Sequence, residues 1–134
     1  MKLALSVATA AGVLAMAAPA FAHHSFAMFD NAKEMTLVGT VKEFQWTNPH
    51  TWIQVMVKNA QGQMEEWSVE GSSPNGLARR GWSRTSLKPG DQVTMMIHPL
   101  KSGEKGGSFM SAKFPDGRAL GGENGPQRPT VPAG

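Results

Sequence analysis

Four histidines are the residues in this 134-residue chain best suited to chemistry. His23 and His24 stand side by side near the start. His50 lies in Trp46-Thr47-Asn48-Pro49-His50-Thr51-Trp52, a turn carrying an aromatic at each end, and His98 opens His98-Pro99-Leu100. Imidazole suits Cu, Zn, Ni and Fe, and copper binds most tightly in the divalent series. The chain has no cysteine, so thiolate metal sites, disulfide frameworks and thiol nucleophiles are excluded. Taken singly, each histidine is better explained by a solvated or turn-capping role. Joint chemistry requires a scaffold that brings distant histidines together.

The beginning of the chain sharpens the metal reading. Lys2 supplies a minimal basic region, Leu3 to Ala18 an apolar Ala-rich run, and Ala18-Pro19-Ala20 and Ala20-Phe21-Ala22 two small-residue cleavage sites. Residues 1–22 therefore read as a secretory signal peptide, the apolar run being too short for a comfortable membrane span. Cleavage after Ala22 makes His23 the first residue, where α-amine and imidazole chelate one ion and a further imidazole completes a copper-type N₃ set, the histidine brace. His24 at the second position offers amine, amide and imidazole. Cleavage after Ala20 leaves Phe21-Ala22-His23, with histidine third, the amino-terminal Cu(II)/Ni(II) arrangement. Either cut creates a potential copper chelate, the alternative being an accidental histidine pair in a flexible start. Seven methionines follow the leader. Met56 and Met96 fall on outward strand positions and are the better candidates for thioether contact with Cu(I), whereas Met95 is core filler.

The elements that must position these groups are mostly strands. Met35 to Thr47 predicts a long first strand, with Leu37, Gly39 and Val41 on one face and then a phase change to Phe44 and Trp46, the mark of a bulge. Thr51 to Lys58 predicts a second strand with Ile53, Val55 and Val57 inward. Asn59 to Gly62 is a hairpin turn, and Gln63 to Glu70 a third strand with Trp67 and Val69 inward and Glu66, Ser68 and Glu70 outward. Ser73 as cap and Pro74 at the first helical position start a short helix near Asn75 to Arg80, ended by Gly81. A turn at Leu87 to Asp91 leads to a fourth strand, Gln92 to His98, with Val93, Met95 and Ile97 inward. A loop over Lys101 to Gly107 precedes a fifth strand, Ser108 to Phe114. The fold expected is all-β with one short helix, a five-stranded OB-like barrel occupying residues 23–120 behind an N-terminal extension. Residues 121–134, rich in Gly and Pro, are expected to be a disordered tail. In OB folds the loops after strands one and four flank one binding face. His50 lies in the first and His98 opens the second, so they share a rim although 48 positions apart.

Charge and composition narrow the partners. Residues 23–76 hold three Lys against six acidic residues, −3, while residues 77–134 hold nine Lys and Arg against four acidic residues, +5. Arg79, Arg80, Arg84 and Lys88 cluster around the helix, and Glu65, Glu66 and Glu70 form an acidic edge; both read first as solvated faces. A basic OB face with aromatics also suits nucleic acid, but export argues against that partner. An acidic protein, a polyanion or a membrane surface is the alternative for the basic side, the partner being another periplasmic or membrane protein, and no transmembrane segment is expected in the mature chain. There is no phosphate-binding glycine loop and no serine elbow.

The mature start His23-His24-Ser25-Phe26-Ala27-Met28-Phe29-Asp30, with Gly39-Thr40-Val41, Asn48-Pro49-His50, Ser73-Pro74, Gly81-Trp82, Pro89-Gly90-Asp91 and His98-Pro99, resembles a family of short exported bacterial proteins known only as a domain of unknown function. The resemblance covers roughly residues 22–120. It implies export and domain extent, and no activity. The expected product is a periplasmic or secreted transition-metal-binding protein that holds or delivers metal. Copper is first, with zinc or nickel as alternatives, and His23, His24, His50 and His98 are the ligands. A metal-free binding module using Trp46, Trp52, Met56 and Met96 is the second reading. An oxidative copper enzyme comes last, because no substrate platform beyond the tryptophans is visible.

Overall fold

The computed structural model describes residues 28–122. The expected signal peptide, His23, His24 and the tail beyond residue 122 lie outside them. The elements are β1 (Met35–Gln45), β2 (Trp52–Lys58), β3 (Met64–Glu70), α1 (Pro74–Ala78), β4 (Gln92–Pro99), β5 (Gly106–Lys113) and β6 (Ala119–Gly121).

Alternating apolar residues build the wall. In β1, Leu37 and Val41 are buried, and a register shift between Val41 and Glu43 moves the inward phase toward Phe44, which packs against the core. Ile53 and Val55 of β2, Val69 of β3, and Val93, Met95 and Ile97 of β4 complete the same interior. β1 pairs antiparallel with both β2 and β4, β2 with β3, and β4 with β5. The ring closes where β3 runs parallel to β5 through Ser68↔Gly106, Val69↔Gly107 and Glu70↔Ser108. This is a five-stranded OB-like barrel in the order β1-β2-β3-β5-β4, with the interior filled by side chains as in small barrels generally.

Helix α1 lies between β3 and β4 in the chain and begins as its cap residues dictate. Ser73 Oγ accepts from Gly76 N at 3.1 Å, and Pro74 occupies the first turn. Leu77 is buried in the core, and so are Trp82 and Leu87 beyond it. Trp82 stacks edge-on against Phe109 at 5.3 Å and donates its Nε1–H to Gly121 O at 3.1 Å. Among the described residues no helix is long and apolar enough to cross a membrane.

Three expectations need correction. The loop after β4 is shorter than Lys101 to Gly107, because Gly106 and Gly107 belong to β5. They read as loop for lack of side chains, yet a Cβ on Gly107 would lie 2.5 Å from His98 O, so only glycine fits there. Residues 119–121 form a sixth strand outside the closed ring, pairing with Ser111 to Lys113. Gly121 thus belongs to the sheet rather than the tail. Finally, Glu70 is not a solvated outward residue: it is 7% exposed, for reasons that define the site.

Candidate functional site

A cleft of about 680 Å³ opens where the β1–β2 loop, the end of β3, and the β4–β5 rim meet. His50, Glu70, Arg80, His98 and Ser108 line it, together with the apolar Phe29, Phe109 and Met110.

The β1–β2 loop is fixed by Thr51, which is fully buried. Its N–H and Oγ1 both donate to Ser72 O, at 3.1 and 2.8 Å, and Gly71 N–H donates to Thr51 O at 2.8 Å. This clasp sets His50 over the end of β3. His50 Nδ1 lies 3.2 Å from Gly71 O and 3.5 Å from Glu70 Oε1. A carbonyl only accepts, so Nδ1 carries the proton, and in the neutral ring Nε2 keeps its lone pair.

His98 is fixed in the same manner by different elements. Its Nδ1 donates to Lys33 O at 2.8 Å, in the connector before β1. Nε2 is again the nitrogen with the free lone pair. Nδ1–H given to a carbonyl or carboxylate, with Nε2 left open, is the arrangement that orients metal-ligating histidines.

Register explains which residues share the cleft. His98 is the Cα partner of Ser108, and Ser108 the partner of Glu70. The three therefore form one row across β4, β5 and β3 on one face. At about 4.8 Å per strand, His98 and Glu70 stand roughly 10 Å apart at the backbone, with His50 arriving from the loop beside Glu70. The barrel thus brings His50 and His98 to one cleft, on opposite sides of it.

The chain entering from the N-terminus packs at the same end. Phe29 bridges Leu100, Asp30 N–H donates to Pro99 O at 2.8 Å, and Lys101 N–H donates to Met28 O at 2.9 Å. Phe29 is buried and lines the cleft.

The other residues singled out from the sequence stand elsewhere. Trp46 packs partly buried on the core, edge-on to Phe44 at 5.8 Å. Trp52, Met56 and Met96 are half-buried and do not line this cleft. Among the described residues, no three of His, Cys, Asp and Glu stand close enough together to hold an ion. The barrel therefore offers two imidazoles toward a shared space, and no third described His, Asp or Glu stands close enough to complete a site with them.

Two charged residues read as surface belong to the cleft instead. Glu70 turns Oε1 to His50 while its Oε2 is shut off from solvent with no hydrogen-bond partner. Arg79, Arg84 and Lys88 are exposed as expected of a solvated basic face, but Arg80 is half-buried, and its Nη1 is likewise inaccessible and unpartnered. Glu65 and Glu66 remain at the surface. Glu65 Oε1 accepts from Asn59 and faces Lys105, and the Asn59 bond in particular holds its carboxyl below the usual range.

The profile of a family of unknown function (DUF6152) matches residues 10–109. No curated protein and no solved structure matches the chain.

Proposed function

The chain belongs to the family of unknown function DUF6152, and we propose that its mature form is an exported, periplasmic protein that binds a transition-metal ion, copper first, to hold or deliver it. One observation carries this reading. Two histidines 48 positions apart line a single cleft, each with Nδ1–H tied to a backbone carbonyl and Nε2 left as the electron-pair donor. Metal-ligating histidines almost always have their second ring nitrogen held in this way.

The missing ligands are within reach. His23 lies five residues before Met28, so its Cα sits within about 17 Å of Met28 whatever path the chain takes. His98 is two strand residues, about 7 Å, from Leu100, the bridge partner of Phe29. The amine and ring of His23, or the ring of His24, would then join His98 or His50. An ion held by amine and imidazole binds only when both are unprotonated, so affinity falls on acidification.

The deciding experiment is metal analysis of the protein recovered from its exported form, with intact mass on the same sample. A mass beginning at His23 and one equivalent of copper are expected. A retained leader, or a metal content indistinguishable from a histidine-free control protein, would overturn the proposal.

A further inference from the structure

We infer that the same cleft is a receptor site for a free apolar amino acid, whose ammonium is taken by Glu70 and whose carboxylate is taken by Arg80. The inference is independent of the metal reading, since it uses neither histidine Nε2.

Two side chains of opposite sign, each with one buried polar atom unpartnered, carry it. Glu70 is more than nine-tenths buried at the end of β3, lines the cleft, and leaves Oε2 without a donor. Arg80, just beyond α1, lines the same cleft and leaves Nη1 without an acceptor. A buried polar atom left without a hydrogen-bond partner carries a desolvation penalty. Nature retains such groups where something else completes them. Among the described residues the two do not pair with each other, and the only positively charged or protonatable neighbour of Glu70 within salt-bridge distance is the His50 ring. A ligand that satisfies both must present a cationic donor and an anionic acceptor on one small frame. That is an amino-acid zwitterion.

The remaining lining fits the rest of such a molecule. Phe29, Phe109 and Met110 give the cleft an apolar wall, and Ser72 and Ser108 add hydroxyls beside the charges. Its volume of about 680 Å³ lies in the range of small-molecule sites, roughly 300–1,000 Å³, and far exceeds what a metal ion needs. Both unpartnered atoms are shut off from solvent in this structure, so seating a ligand requires the two side chains to turn toward the cleft; the terminal carboxylate torsion of Glu70 is soft. The apolar wall selects an amino acid with an aliphatic side chain over glycine.

The test is calorimetric titration of the full mature protein, stripped of metal and held in EDTA, with L-leucine. Saturable one-to-one binding is expected. N-acetyl-L-leucine, which lacks the ammonium, and L-leucinamide, which lacks the carboxylate, should each bind at least tenfold more weakly, and glycine more weakly than leucine. Arg80→Gln should weaken leucine at least tenfold but leave L-leucinamide unchanged, because that analogue has no carboxylate to lose. Glu70→Gln should do the converse, with N-acetyl-L-leucine as the insensitive ligand. If burial makes Glu70→Gln unfold, the half-buried Arg80 variant decides alone. Absence of leucine binding, or single-charge analogues that bind as tightly as leucine, would overturn the inference and leave the metal proposal standing. Leucine binding to a protein that takes no copper would do the reverse.

Discussion

Gly107→Ala should unfold the barrel at a markedly lower temperature and dismantle the cleft with it. Gly107 lies in β5 between two neighbours, paired with Pro99 of β4 and with Val69 of β3. A Cβ there would stand 2.5 Å from His98 O and 2.7 Å from Ile97 Cδ1. Carbon contacts are comfortable at about 3.5 Å, so β5 must retreat by roughly 1 Å. It cannot slide aside, because the parallel closure with β3 holds its other edge. A ladder bond stretched by that amount exceeds about 3.2 Å and ceases to count. Overpacking costs about 1–3 kcal/mol, and each lost ladder bond adds about 1 kcal/mol. The stiffer unfolded chain returns about 0.4–1 kcal/mol. The net is a loss of about 2–3 kcal/mol, which for a domain of this size lowers Tm by roughly 10–20 °C. Circular dichroism melts measure it. Gly62→Ala is the control: its φ is +80° but nothing lies within 4 Å of the added methyl, so only the backbone penalty of about 1–2 kcal/mol remains. A Gly107→Ala melt no lower than that of Gly62→Ala would refute the close β4–β5 approach and, with it, the closed barrel.

Three further outcomes are expected. His50→Ala and His98→Ala should each lower copper affinity at least tenfold, and the double variant should lose less than the product of the two, because one loss already breaks a shared site; independent, multiplicative losses in a competition titration would mean two separate sites. A methionine placed before His23 should weaken copper binding sharply without moving the unfolding transition, because it removes the α-amine from the chelate while leaving the barrel intact; equal affinity removes the amine from the ligand set. Trp82→Phe should cost about 1–3 kcal/mol in denaturant unfolding, since it leaves buried Gly121 O without its donor, and a loss below about 0.5 kcal/mol would mean that β6 does not need the bond.

The strands were legible because their faces are simple. Leu37 and Val41, Ile53 and Val55, and Val93, Met95 and Ile97 alternate with residues outside the core, and each set is buried as its period requires. The bulge after Val41 announced itself as a phase change before Phe44. The start of α1 was legible from Ser73 and Pro74 for local reasons of capping. What failed was local sequence standing in for non-local contact. Gly106 and Gly107 carry no side chain to show a period, and their place in β5 is fixed by Ser68 and Val69, nearly forty positions earlier. Strand β6 is three residues long and is held by β5 and by Trp82 rather than by any pattern of its own.

The cleft was half legible for the same reason. OB topology sufficed to place His50 and His98 on one rim. Glu70 was lost because a two-residue period says which side of a sheet a residue faces, not what covers that side. Its outward position is covered by His50 from a loop held through Thr51 to Gly71 and Ser72, 20 and 21 positions later. The row His98–Ser108–Glu70 exists only because β5 pairs with β4 on one edge and β3 on the other. No segment of the chain contains that row. Closing the barrel and aligning the row are consequently a single event: Gly107 permits the β4–β5 approach, and the approach aligns Ser108 with both His98 and Glu70. Loss of stability and loss of ligand binding should therefore track together in variants of the β3–β5 seam, and separate in variants of the rim histidines, which line the cleft without closing it.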